Sequence, residues 1–253
     1  MKTNCLPRLL ILLAILGCDQ PVAEEEYSIL RTFPHDPQAY TQGLVFHDGF
    51  LFESTGRYGS SSIRKVRLES GEVLMAEDLS EEHFGEGLAL VGPELVQLTW
   101  KSGLAFFYDS ETLTLQRTFN YDGEGWGLCF DGEFLFMSDG TDRLLKRDPN
   151  TFEVQEEIRV TRNGFSLRRL NELECVGDDI YANVYQTNSI VRIEKLTGKV
   201  TAEIDGFGLS LASERGSDPE AVLNGIAFDP GSGSFYVTGK LWSNLFEIQI
   251  PGR

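Results

Sequence analysis

Five times along the chain a polar or aromatic residue is followed, usually through a glycine, by Leu or Ile, a short apolar strand, a tight polar turn and a second apolar strand. The copies open at Gln42-Gly43-Leu44, Glu86-Gly87-Leu88, Trp126-Gly127-Leu128, Asn171-Glu172-Leu173 and Asn224-Gly225-Ile226, at successive offsets of 44, 40, 45 and 53 residues. Intervals of this length match a four-stranded propeller blade. The turn chemistry agrees within each copy: His47-Asp48-Gly49, Val91-Gly92-Pro93, Asp131-Gly132-Glu133, Gly177-Asp178-Asp179 and Asp229-Pro230-Gly231 each sit between apolar runs, the signal of a hairpin. A third strand follows the hairpin in the first four copies, at 63–68, 104–108, 144–147 and 190–193. The pattern predicts an all-β fold, a five-bladed β-propeller.

The last copy is incomplete, because the chain stops at Arg253 soon after Leu245-Phe246-Glu247-Ile248 and leaves the fifth blade without an outer strand. Leu30-Arg31-Thr32-Phe33 runs into the first repeat much as Gln116-Arg117-Thr118-Phe119 runs into the third. The N-terminal strand is therefore expected to complete the last blade and close the ring, which would remove an exposed sheet edge. One irregular insertion, residues 206–219, precedes the fifth repeat. It reads either as a loop or short helix over one face of the ring, placed to act as a lid, or as a disordered excursion.

The 253 residues are 41% hydrophobic and 24% charged, a globular composition with ample length for a core. A formal net charge of -17 argues against a nucleic-acid partner, whose phosphates are neutralised by Lys and Arg. At the N-terminus, Lys2 and Arg8 precede an apolar run from Leu9 to Leu16, too short to span a bilayer and right for a signal-peptide core. The run ends in Ile15-Leu16-Gly17-Cys18, which resembles a bacterial lipobox with Cys18 as the lipidated residue; a plain cleaved signal is the alternative. Asp19 after that cysteine resembles an inner-membrane retention signal, so the expected location is the periplasm on a lipid anchor. The domain plan is a lipoprotein-type signal peptide over 1–17, a tether over 18–26 with Glu24-Glu25-Glu26 as a solvated spacer, and the propeller over 27–253. Removal of 1–17 leaves Cys18, Cys129 and Cys175. Two domain cysteines are no framework, and Cys129 and Cys175 are expected as buried free thiols, with one disulfide as the alternative. His35, His47 and His83 lack the spacing of a zinc site, so no metal is expected through His and Cys.

In a propeller the innermost strands line a central channel, and equivalent positions meet at one end of it. Gln42, Glu86, Trp126, Asn171 and Asn224 would form such a ring, either as a small-ligand site or as groups that bind water at the channel mouth. A second set, Glu53, Trp100, Asp139, Tyr185 and Lys240, lies near the far end of each hairpin's second strand, where some members point to the same mouth. A lysine after an apolar strand, as in Thr238-Gly239-Lys240, is either a surface group or is paired with a carboxylate such as Glu86.

The segments Ala39-Tyr40-Thr41-Gln42-Gly43-Leu44, Phe84-Gly85-Glu86-Gly87-Leu88, Leu98-Thr99-Trp100-Lys101, Gly125-Trp126-Gly127-Leu128, Leu170-Asn171-Glu172-Leu173-Glu174, Asn183-Val184-Tyr185-Gln186 and Val222-Leu223-Asn224-Gly225-Ile226-Ala227 together resemble the plant and bacterial type glutaminyl-peptide cyclotransferases. The resemblance implies a five-bladed propeller that converts the N-terminal glutamine of peptides or proteins to pyroglutamate with loss of ammonia. No cofactor is expected, and the chain is expected to be a monomer. It implies Glu86 as the essential proton-shuttling carboxylate, Lys240 and Asn171 as its catalytic polar partners, Trp100 and Trp126 as pocket walls, and Gln42 and Asn224 as further substrate contacts. Where the family commonly carries a third pocket tryptophan this chain has Tyr185, which alters pocket shape. Two other readings stand beside it. One is a metal-dependent, lactonase-like propeller hydrolase with Glu86, Asn171 and Asn224 as an oxygen shell for calcium. The other is a lipid-anchored binding scaffold without catalysis.

Overall fold

In the computed structural model of the chain, residues 21–251 are described. The signal segment, Cys18 and Asp19 lie outside them. Five sheets form the blades, each with four antiparallel strands and one extended by a fifth, parallel strand, and a small two-stranded sheet pairs Thr161–Arg162 with Phe165–Ser166. Blade 1 is built from Thr41–His47, Phe50–Thr55, Ser62–Arg67 and Val73–Asp78, and blade 2 from Gly85–Val91, Glu94–Thr99, Leu104–Asp109 and Leu115–Asn120. Blade 3 comprises Leu128–Phe130, Leu135–Ser138, Arg143–Arg147 and Val154–Arg159, and blade 4 Leu170–Val176, Asp179–Val184, Ser189–Glu194 and Val200–Asp205. Blade 5 has Leu223–Asp229, Ser234–Gly239 and Asn244–Gln249, and its fourth strand is Ser28–Pro34, paired antiparallel with Asn244–Gln249 in the register Thr32 to Phe246. First and last segments of the ring thus share one sheet.

The apolar positions fall into five buried clusters, each filling the wedge between two neighbouring blades. Phe52, Ile63, Leu88 and Leu95 join blades 1 and 2; Leu98, Phe107, Leu128 and Met137 join blades 2 and 3. Leu44, Leu51, Ala227 and Tyr236 lock blade 5 onto blade 1, and so close the circle. Alternation along each strand supplies these faces, with one face turned to each neighbouring blade.

Towards the axis the innermost strands approach so closely that side chains do not fit between them. A Cβ on Gly43 would lie 2.4 Å from the Leu88 nitrogen, one on Gly87 2.5 Å from the Leu128 nitrogen, and one on Gly127 1.9 Å from the Asn171 oxygen. Glycine is required at these contacts because it alone has no Cβ. Blade 4 carries Glu172 at the equivalent place. Its carboxylate is fully buried and accepts hydrogen bonds from the backbone N–H of Leu44 (3.3 Å) and of Ile226 (2.8 Å), tying blades 1 and 5 across the channel. Burial, reinforced by Glu174, holds the Glu172 carboxyl well above the usual carboxylate range.

Two sequence expectations are corrected. Glu24-Glu25-Glu26 is not a free spacer: Ala23–Glu24 adds a parallel strand to the outer edge of blade 4, and Glu25 pairs with Arg192 at 3.1 Å. Cys129 and Cys175 are not free thiols but a disulfide with Cα atoms 5.4 Å apart. The innermost strands of blades 3 and 4 are neighbours in the ring, and that brings together two residues 46 positions apart in sequence. The insertion before blade 5 is ordered, with a six-residue helix, Phe207–Ala212, followed by a loop that returns to Leu223.

The disulfide closes a loop large enough that the chain-entropy relation predicts about 4 kcal/mol of stabilisation, with measured cases at about 2–4 kcal/mol. Chemical denaturation of the Cys129→Ala/Cys175→Ala variant is expected to show a loss in that range with turnover unchanged. Equal stability of the two proteins would show that the bridge constrains nothing.

Candidate active site

The inner strands depart from regular pairing where they open onto the channel. Register shifts occur between Thr41 and Gly43, Gly85 and Leu88, Leu170 and Leu173, and Leu223 and Ile226, each within the first residues of an inner strand. Such bulges re-aim side chains. They sit at Gln42, Glu86, Asn171 and Asn224, four of the five repeat-opening residues. The fifth, Trp126, lies just ahead of its strand, with its N–H bonded to the Ser138 carbonyl at 3.0 Å and its carbonyl accepting from Gly87 N–H at 2.7 Å.

Three of these four bulge residues, with Trp126, converge on one cavity of about 260 Å³ lined by Tyr40, Gln42, Phe84, Glu86, Trp100, Trp126, Asn171, Tyr185, Glu220 and Lys240. The volume suits a single residue more than an extended ligand. Of the second sequence-predicted set, Trp100, Tyr185 and Lys240 reach the cavity, whereas Glu53 and Asp139 do not. Glu53 is buried behind it, bonded to His35 at 3.0 Å and Thr41 at 2.6 Å and paired with Arg64, whose charge together with that of His35 holds its carboxyl far below the usual range against the penalty of burial. Asp139 caps its own turn through the Thr141 N–H at 2.9 Å. Asn224, expected as a substrate contact, is not among the residues that line the cavity. Its side chain is fully buried, and its Nδ2 donates to the Thr41 carbonyl at 2.9 Å and to Gln42 Oε1 at 3.4 Å, so it holds Gln42 from behind. Of the oxygen shell expected for calcium, Glu86 and Asn171 line the cavity and Asn224 does not, and among the described residues no group of three His, Cys, Asp or Glu side chains converges to hold a metal.

Inside the cavity the polar groups are few and deeply placed. Glu86 is 4% exposed and accepts a hydrogen bond from Gln42 Nε2 at 2.9 Å. Burial pushes its carboxyl well above the usual carboxylate range; the Lys240 charge opposes that shift and Glu124 adds to it. Lys240 is 2% exposed, and burial lowers its ammonium to about 8 against the opposing fields of Glu86 and Glu220. Its Nζ lies 4.7 Å from the Tyr40 ring centre and 5.0 Å from that of Tyr185, both within cation–π range. Asn171 Oδ1 is buried without a hydrogen-bond partner. A buried unpartnered acceptor is costly, and this one lies on the cavity, where a ligand N–H would satisfy it.

The walls are aromatic and are held by two rim carboxylates. Glu124 Oε2 accepts from the indole N–H of Trp100 at 2.8 Å and of Trp126 at 3.0 Å. Glu220 accepts from the hydroxyls of Tyr40 and Tyr185. Phe84 packs edge-on between Tyr40 and Trp100, and Trp126 edge-on against Tyr185, so the rings form an almost continuous fence. Tyr40, Phe84 and Glu220 were not among the sequence candidates. Tyr40 and Phe84 each stand two residues before a repeat-opening residue, a position the repeat itself could have flagged; Glu220, in the irregular loop, carried no signal.

The sequence profile of the glutamine cyclotransferase family matches residues 9–250 of the chain. The chain is 42% identical over 231 residues to the glutaminyl-peptide cyclotransferase of Arabidopsis thaliana, an alignment covering 89% of this chain and 71% of that protein. Its fold superposes on the crystal structure of the glutaminyl cyclase of Myxococcus xanthus with a TM-score of 0.86 and 41% identity, covering 91% of this chain and 98% of that one.

Proposed function

The chain belongs to the glutamine cyclotransferase family, and on that premise we propose that the cavity around Glu86 folds an N-terminal glutamine back on itself and closes it to pyroglutamate. The activity is that of a glutaminyl-peptide cyclotransferase, an acyl transfer acting on N-terminal glutaminyl peptides. The α-amine nitrogen bonds to the side-chain amide carbon, the bond from that carbon to its amide nitrogen breaks, and one proton moves from the amine to the departing ammonia. Because both reacting groups belong to one residue, the enzyme's task is conformational and electrostatic.

The observation that carries this reading is a carboxylate buried among aromatic rings with a cation and an unpartnered acceptor in the same small cavity. Glu86, raised by burial, is a stronger base than an ordinary carboxylate and holds the proton long enough to return it to the leaving nitrogen. Gln42, itself braced by Asn224, fixes the Glu86 carboxylate. Asn171 Oδ1 receives an N–H of the substrate and orients its amide. The Lys240 ammonium faces the oxygen that becomes an oxyanion when the amine attacks. Trp100, Trp126 and Tyr185 enclose the folded glutamine and keep water from competing for the amide carbon.

We further infer that the enzyme is held in the periplasm by a lipid on Cys18, from the run 9–18 and Asp19. Cys18→Ser is expected to move the protein from the detergent-extracted membrane fraction to the soluble periplasmic fraction. A wild-type protein already soluble, with no lipid in its intact mass, would instead point to a plain cleaved signal.

Glu86→Gln keeps the shape and removes the base, and ammonia release from a Gln-initiated peptide should fall by about 10²- to 10⁴-fold with the melting temperature retained. Retained turnover would take Glu86 out of this role. The pH profile follows from the two shifted groups. Activity needs Glu86 ionised, so kcat/KM falls on the acid side through a value above the ordinary carboxylate range near 4.3. It also needs Lys240 charged, so kcat/KM falls again above about 8. Lys240→Arg, which does not titrate in this range, should remove the alkaline limb; an alkaline limb that stays in place would assign it to another group.

A further inference from the structure

The loop that follows the helix Phe207–Ala212 brings one carboxylate to the rim that the reaction as described does not use. Glu220 Oε2 accepts from the Tyr40 hydroxyl at 3.0 Å and from the Tyr185 hydroxyl at 2.5 Å, while its Oε1 accepts from Gln186 Nε2 at 3.3 Å. Tyr40 precedes the inner strand of blade 1 and Tyr185 follows the second strand of blade 4, so one side chain ties together three separate parts of the ring. The loop has its own supports. The Glu220 N–H is bonded to Asp218 Oδ1 at 2.9 Å, and Asp218 Oδ2 pairs with Arg57 at 3.2 Å. Arg57 in turn lies over the outer part of the fence, 4.8 Å from the Tyr40 ring centre.

We propose that Glu220 is a positioning residue for the cyclisation: it latches residues 213–222 across the cavity and holds Tyr40 and Tyr185 as two walls around the Lys240 ammonium. This rests on the reading of the cavity as the reaction site. Both rings make cation–π contacts to Lys240 Nζ, and both are oriented through hydroxyls that share one oxygen of Glu220. Two phenols donating to one carboxylate form charge-assisted hydrogen bonds, stronger than neutral ones. The Tyr185 bond, followed by those from Tyr40 and Gln186, lowers the Glu220 carboxyl and keeps it ionised. A tryptophan in place of Tyr185 could not make the same shared contact, since its single N–H sits elsewhere on a larger ring. The latch therefore belongs with the Tyr40 and Tyr185 pair of this chain.

The charge has a consequence of its own. The charged and titratable groups around Lys240 are Glu86 from blade 2, Glu220 from the loop, and the Tyr40 and Tyr185 hydroxyls, with Arg57 and Arg169 on the outer sides of the two tyrosine rings. Glu86 and Glu220 are the two that favour the ammonium form. Removing the Glu220 charge is expected to bring the alkaline limb of kcat/KM to lower pH.

Two substitutions separate latch from charge. Glu220→Gln keeps a carbonyl that accepts from both tyrosines and loses the charge; it should leave KM within about twofold and move the alkaline limb down. Glu220→Ala loses both the charge and the hydrogen bonds from Tyr40, Tyr185 and Gln186, and KM should rise by about tenfold or more together with the same shift of the limb. Tyr40→Phe/Tyr185→Phe removes the hydroxyls alone, and should reproduce the KM rise even if Glu220→Ala folds poorly. Wild-type kcat, KM and pH limb in a folded Glu220→Ala, with Glu86→Gln inactive, would overturn the latch and leave the reaction site standing. Full activity in Glu86→Gln as well would overturn the site itself.

Discussion

The close approach of the five innermost strands is the constraint from which the rest of this molecule follows. At Gly43, Gly87 and Gly127 a single added carbon would strike the backbone of the next blade at 2.5 Å or less. Register shifts appear where the inner strands open in four of the five blades, at Gly43 and Gly87 among these contacts and also at Asn171 and Asn224. Gln42, Glu86 and Asn171 face the cavity from such shifts, and Trp126 reaches it without one. Packing of the ring and aiming of the site thus use the same short stretches of chain, and the cost of burying Glu86 and Lys240 is carried by five interlocked apolar wedges.

The electrostatics of the cavity depend on how little water reaches it. Glu86 and Lys240 are both nearly fully buried, and burial drives both towards their neutral forms while their mutual attraction opposes this. A pair poised in this way exchanges a proton with substrate at modest cost, which a fully solvated carboxylate and ammonium would not do. The rim carboxylates differ in kind. Glu124 and Glu220 stay near solvent and act on the aromatic walls, each through two ring donors. One fixes the tryptophan side and the other the tyrosine side.

Much of this was legible in the chain because the repeat and the site are the same residues. Gln42, Glu86 and Trp126 announce themselves by preceding a Gly-Leu step and Asn171 by preceding Glu172-Leu173 at the same place in its copy, and Trp100 and Lys240 by standing at the ends of second strands. What the repeat could not show was depth. Asn224 has the same place in its copy as Glu86, yet it faces inward and braces Gln42, because where a bulge points its side chain depends on local backbone geometry that a pattern of residue types does not carry. The pairing of Cys129 with Cys175 was hidden for a related reason. Two cysteines 46 residues apart look unrelated until inner strands of successive blades are known to be neighbours. Glu220 was least visible, since its partners Tyr40 and Tyr185 lie in other blades and meet it only when the ring is closed.

The central claim is that this cavity closes an N-terminal glutamine into a ring. Incubation of the purified protein with a Gln-initiated peptide, followed by mass spectrometry, tests it most directly. The account predicts loss of the mass of one ammonia from that peptide, far faster than the spontaneous reaction, and none from the same peptide with its N-terminus acetylated. Loss at no more than the spontaneous rate would contradict it.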